Sequence, residues 1–149
     1  MKNEQFEKDI EVVPGIYNGL TIVEAGGKKF LIGELPIADT NGKLWEKYQI
    51  EIKGSDSYPY SFPKLFETAD AFPHNADWHV HEDDFSCCVD YPANAKILCK
   101  NGLHITDYIK NYAIPHISQI RLSELERDII AMWNTLTEFL ERLNTIKAN

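Results

Sequence analysis

The sequence predicts an α+β fold, an antiparallel β-meander followed by C-terminal helices, as one domain over residues 1–149. Three observations predict it. Short β-branched and aromatic runs alternate with turn dipeptides over the first two-thirds of the chain. The apolar spacing turns helical after Pro92, and a long apolar stripe follows near the C-terminus.

The elements follow in order. Residues 10–13 (IEVV) read as a strand before Pro14-Gly15, leaving room for only a short helix in residues 2–9. Residues 19–24 (GLTIVE) end at Gly26-Gly27, and 28–35 (KKFLIGEL) lead to the turn Asn41-Gly42. In 44–52, Leu44, Tyr48, Ile50 and Ile52 partly alternate with polar residues. Pro59 and Pro63 bracket an aromatic bend, and a short strand is expected at Lys64–Thr68. It is placed at an edge or crossover, because proline donates no ladder hydrogen bond. Residues 104–121 carry Ile105, Ile109, Tyr112, Ala113, Ile117 and Ile120 at helical spacing, with Pro115 as a kink or break. Ser123 and Glu126 form a capping-box pattern before a second helix, about residues 124–146. Its stripe of Leu125, Ile129, Met132, Trp133, Leu136, Phe139, Leu140 and Leu143 is that of a helix lying on another surface.

The 44% hydrophobic and 26% charged residues are ordinary for a soluble protein. A net charge of −8 argues against a nucleic-acid surface, since phosphate binding needs a field of lysine and arginine. No apolar run reaches the roughly 20 residues needed to cross a bilayer. The charged start MKNEQFEKDI is unlike a signal peptide, and three cysteines do not suggest a disulfide framework, so a cytoplasmic location is expected.

Chemistry concentrates in WHVHEDDFSCCVDYP, residues 78–92. His79, His81, Cys87, Cys88, Cys99 and His104 are metal-ligand types, but adjacent cysteines do not easily share a tetrahedral ion and no C-x-x-C is present. No metal or other cofactor is therefore expected. A second reading buries one thiol in the core, because neighbours on a strand face opposite ways. A third is a reactive thiol with its helpers.

Order and spacing carry a resemblance. The chain runs YQIEIKGSDSYPYSFPKLFE, then a histidine-containing loop, then SCCVD. Tyr58-Pro59 and Pro63-Lys64 match the "YP…P" bend that precedes the active site of ubiquitin-conjugating enzymes. Cys87-Cys88-Val89 matches their catalytic stretch, with Cys88 at the nucleophile position. Phe66-Glu67, Pro73, Asp77, His79-Val80, Asp84 and Cys88 also fit, in order, the pattern of the bacterial branch. Residues 105–120 look like that branch's helix after the active site. The chain thus resembles the bacterial ubiquitin-conjugating enzyme-like family over about residues 20–120, especially the stand-alone conjugating proteins of cyclic-oligonucleotide antiphage (CBASS) operons. It departs from the wider family at Val80, where an asparagine is usual, and lacks the tryptophan that usually follows the cysteine.

The resemblance implies a cysteine acyltransferase that carries a protein C-terminus as a thioester on Cys88. The implied partner is a cGAS-like nucleotidyltransferase and its C-terminal tail, with activation supplied by another protein. His79 or His81 would replace the missing asparagine donor, while Asp84 and Asp90 would steer an incoming lysine or take its proton. Nearby acids should raise the thiol pKa. Two other classes share these residues: an inactive binding module of the same fold, and a cysteine hydrolase pairing Cys88 with His79 or His81.

Overall fold

The computed structural model describes residues 2–38, 41–90 and 92–148, without the side chains of Trp45 and Pro92; Tyr91 of the cysteine stretch lies outside it. By internal contacts the chain separates into two compact units, Met1–His116 and Ile117–Asn149.

The first unit opens with helix α1, Glu4–Asp9, a 3-10 turn at Ile10–Val12, and a short α2, Val13–Ile16. The strand expected at residues 10–13 is therefore helical. Phe6, Ile10 and Val13 lie at i, i+4 and i+7 and are all buried, so helical spacing overrides the β-branched composition of IEVV. Asn3 anchors this segment. Its Oδ1 accepts from the Phe6 amide at 3.0 Å, while its Nδ2 donates to the Ser55 and Tyr58 carbonyls at 2.9 and 3.0 Å.

Four strands follow: β1 Leu20–Ala25, β2 Lys28–Ala38, β3 Leu44–Lys53 and β4 Lys64–Glu67. They form one antiparallel sheet in the order β1-β2-β3-β4, so the strand after the prolines is an edge. Leu31 pairs with Ile52 and Ile52 with Leu65, while Gly33 pairs with Ile50 and Leu35 with Tyr48. Period-two alternation therefore gathers Leu31, Leu35, Ile37, Tyr48, Ile50, Ile52 and Leu65 on one buried face. Glu67 falls on that face too, opposite Ile50, and is 4% exposed.

The aromatic bend joins the sheet to its surroundings. The Tyr58 hydroxyl donates to Asp9 at 2.7 Å, its ring meets Phe6 edge-on, and the Pro59 carbonyl accepts from the Leu103 amide at 2.7 Å. Phe62 packs near the rings of Tyr108 and Tyr112.

A 3-10 turn at Ala76–Trp78 leads to the cysteine loop, followed by α3, Pro92–Leu98. Helix α4, Ile105–Tyr108, passes through a π-helical turn at Ile109–Ala113 into α5, Ile114–Ala148. Pro115 does not break the helix as expected. The wide turn just ahead of it, closed by Ile114 N–H to the Ile109 carbonyl, precedes the missing donor. Ser123 does not start a second helix either. It lies inside α5, and its hydroxyl donates to the Gln119 carbonyl at 3.1 Å instead of capping. Nor is the C-terminal stripe covered by another surface. In the second unit only Ile117 and Ile120 are buried among the described residues of α5, whereas Ile129 and Trp133 are 64% and 67% exposed. No helix among the described residues is long and apolar enough to cross a membrane.

Gly33 is the tightest point of the sheet. Its φ is +143°, and an added Cβ would stand 2.0 Å from the Gly19 carbonyl oxygen, which accepts from the Glu34 amide. Strain of this kind costs about 1–3 kcal/mol before any clash is counted. Gly33→Ala should therefore lower the urea midpoint by the equivalent of about 3 kcal/mol, whereas Gly15→Ala, in open space, should leave it nearly unchanged.

Candidate active site around Cys88

The loop is built by docking a short hairpin beside β4. The Cys87 amide donates to the Leu65 carbonyl at 2.7 Å, and Val80 bridges antiparallel to Cys87. Within the hairpin, the Cys88 amide donates to the His79 carbonyl at 2.6 Å and the His81 amide to Ser86 at 2.8 Å. Asp84 closes its tip, accepting from the Ser86 amide at 2.9 Å and hydroxyl at 2.6 Å and pairing with Lys64 of β4 at 2.7 Å. His79 and Phe85 have φ of +56° and +64°. Side chains rarely adopt this left-handed region, and the two residues flank the hairpin tip.

The two neighbouring thiols differ in surroundings. Cys87 is buried, and Cys99 is also buried, while Cys88 is half-buried. Burial and then the Glu67 charge push the Cys87 thiol up to about 12. The Cys88 thiol is also raised, first by burial and then by Asp90, whose carbonyl its Sγ approaches at 3.7 Å. The effect expected from the acids is thus present, with Asp90 as its source.

Residues 78–81 are not an extended strand, since His79 ends the 3-10 turn in a left-handed conformation. Val80 is nonetheless buried and both histidines are exposed. His79 approaches the ring of His116 at 6.3 Å between centroids. His81 lies elsewhere, along a groove of about 330 Å³ that includes Phe62, Cys87, Asp90 and Lys96 but not Cys88. The proposed helpers are therefore not all gathered on one side of the Cys88 thiol. Asp84 is committed: burial pushes it upward, but the Lys64 and Ser86 bonds outweigh this and hold its carboxyl below the usual range. It clamps the hairpin and is a poor proton acceptor. Asp90 is better placed, and Asn94 donates to it at 3.1 Å.

Two features escaped the sequence reading. His116 carries a buried Nε2 without a hydrogen-bond partner among the described residues, and burial, then the nearby His79, lower its pKa to about 4. In sequence it is one position of a helical run and gives no signal of its own. Glu67, Asp70 and His74 come within sharing distance of one ion, a grouping with no member in common with the six ligand types of the sequence reading. Both Glu67 oxygens already accept, from the Ala69 and Ala71 amides and from His74 Nε2, at 2.7–3.0 Å. That satisfaction makes Glu67 a clip for the turn after β4.

The described architecture defines an α+β chain with a four-stranded antiparallel meander and a long C-terminal helix. Comparison with family models, with curated proteins and with solved structures gives no match.

A bulky maleimide should label native Cys88 before Cys87 and Cys99, as mass mapping of the modified peptides would show. Asp90→Asn should speed Cys88 labelling at neutral pH by removing one of the two causes that raise its thiol. His116 supplies a pH signature. A group held neutral by a lowered pKa gives stability that is full above the unfolded value of about 6.5 and is lost as pH falls toward about 4. In His116→Phe the fall in urea midpoint across that window should be shallower than in the parent.

Proposed function

We propose that this chain is a ubiquitin-conjugating-like acyltransferase that carries a protein C-terminus as a thioester on Cys88. The observation supporting this most directly is the placement of Cys88. It is the only cysteine among the described residues that is not buried, and it stands on a hairpin clamped beside the edge strand. The order of three strands, proline bend, a fourth strand, cysteine loop and helices is also the order the resemblance implies.

Loading would proceed by thiol exchange. The Cys88 thiolate attacks the carbonyl carbon of an incoming activated thioester, and the donor's thiolate leaves and is protonated. An amine then attacks the same carbon, expels the Cys88 thiolate and gives up its proton to a nearby base. A raised thiol pKa is tolerable here, because the acyl group arrives activated. It counts against the hydrolase reading, in which the thiol must attack an unactivated bond.

The tetrahedral oxygen needs a donor, and the loop's backbone has few to offer. The amides of His79, Val80, His81, Cys87 and Cys88 are all committed to carbonyls. A histidine side chain is another source in this hairpin, and we assign the role to His79, whose carbonyl holds the Cys88 amide, ahead of His81. Asp90 is the acid that would receive the amine proton or hold the cationic lysine. The donor and its target follow from the resemblance: a cGAS-like nucleotidyltransferase presenting its C-terminal tail, in the cytoplasm of a bacterium defending itself against phage. An inactive binding module of the same fold would bind that partner without a covalent bond.

Co-expression with such a nucleotidyltransferase and the protein that activates its C-terminus should give an adduct weighing the two chains less one water. Excess thiol should cleave it with native Cys88, whereas Cys88→Ser should give a thiol-resistant, hydroxylamine-sensitive ester and Cys88→Ala none. His79→Ala should slow transfer to amine roughly 100-fold with the fold retained, the usual loss for one oxyanion donor. An adduct surviving in Cys88→Ala would move the nucleophile to Cys87. Tight binding without any adduct would favour the binding module.

A further inference from the structure

The exposed stripe of α5 has a stricter period than a helix lying on a globular surface needs. From Leu122 to Ile146, apolar residues recur at alternating spacings of three and four. Leu122, Ile129, Leu136 and Leu143 take one heptad position, a, and Leu125, Met132, Phe139 and Ile146 take the other, d. This 3.5-residue repeat is the seam of a coiled coil and runs about 36 Å at 1.5 Å per residue. Leu125 is half-buried and the other seven are exposed, with Met132 and Ile146 both 71% exposed.

The residues flanking the seam select its partner. On one flank, at the e positions, stand Glu126, Trp133, Leu140 and Lys147; on the other, at g, stand Arg121, Asp128, Thr135 and Arg142. The e flank is acidic at one end, apolar in the middle and basic at the other end. Such a flank complements itself only when reversed. We infer that α5 pairs with α5 of a second copy of this chain, antiparallel, about a twofold axis near residue 134.

In that register each a residue meets a d residue of the other copy: Leu122 with Ile146, Leu125 with Leu143, Ile129 with Phe139, and Met132 with Leu136. Along the e flank Glu126 faces Lys147 and Trp133 faces Leu140. Along the g flank Asp128 faces Arg142. The twofold makes every pair occur twice. A parallel, in-register pair sets g against e instead. It places Arg142 against Lys147 at one end and exposes Trp133 and Leu140 to Asp128 and Thr135 in the middle, and these two costs outweigh the one attractive pair it makes, Arg121 with Glu126, at the other end. The antiparallel pair also opposes the two helix dipoles.

The test is the mass of the full chain in solution, by light scattering and sedimentation equilibrium, for the parent and three charge variants. The parent should weigh about twice the 17.1 kDa chain at micromolar concentration. Asp128→Arg and Arg142→Asp each place like charges together twice and should shift the mass toward one chain. The double variant exchanges the pair and should restore the dimer, which a merely misfolded protein would not do. Parallel pairing predicts the reverse for Arg142→Asp, because it would create a pair with Lys147; a strengthened dimer there overturns the antiparallel assignment. A parent that stays monomeric into the sub-millimolar range overturns the second copy as the occupant. All variants keep Cys88 and its loop, so this result stands or falls separately from the thioester chemistry.

Discussion

The Cys87 amide donates to the Leu65 carbonyl, and this bond ties the cysteine hairpin to the otherwise unpaired side of β4. Strand alternation then follows on the loop side. With Cys87 turned inward next to Glu67 and the core, Cys88 is turned the other way. The Val80–Cys87 bridge and the His79 carbonyl hold the returning limb, and the Lys64–Asp84 pair closes the tip. An edge strand is a liability if left bare, and here the loop that carries the thiol covers it.

That arrangement has an electrostatic consequence. The acids of the loop are of two kinds, and sequence proximity does not separate them. Asp84 is neutralised by Lys64 and saturated by Ser86, so it shapes the hairpin without influencing the thiol much. Asp90 follows Cys88 by two residues and acts on it directly, adding to the larger cost that burial sets on forming a thiolate. A thiol held in its protonated form is protected from adventitious oxidation and reacts with substrates that come already activated.

The N-terminal segment and the proline bend serve the same end from the opposite direction. Asn3 and Asp9 fasten α1 to the bend through the Ser55 and Tyr58 carbonyls and the Tyr58 hydroxyl. The bend in turn leads into β4, the strand on which the hairpin depends. Phe6 packs at 3.0 Å from where a Cβ on Gly54 would stand, so any larger residue there would have to push the Phe6 ring by a few tenths of an ångström. Along the described residues of the long helix only Ile117 and Ile120 are buried, and its later leucine, isoleucine, methionine and phenylalanine residues are largely exposed.

The sequence by itself determined the α+β class and the three hairpin-linked strands, and it narrowed the fourth to an edge or crossover, of which the structure shows the edge. Turn dipeptides and period-two alternation are local signals that tertiary contacts did not override. It also determined that one of two adjacent cysteines would be buried. Where two periods compete, it was ambiguous: IEVV suits a strand by composition, but Phe6, Ile10 and Val13 place it on a helix. Ser123 with Glu126 has the letters of a cap inside a helix that never stops there. Only tertiary structure decided that Asp84 is committed to the hairpin, because the Lys64–Asp84 pair joins residues twenty positions apart. It alone brought His116 beside His79, since contacts between distant segments leave no periodic trace in the chain; the Glu67 clip is local, but an irregular turn has no period to read.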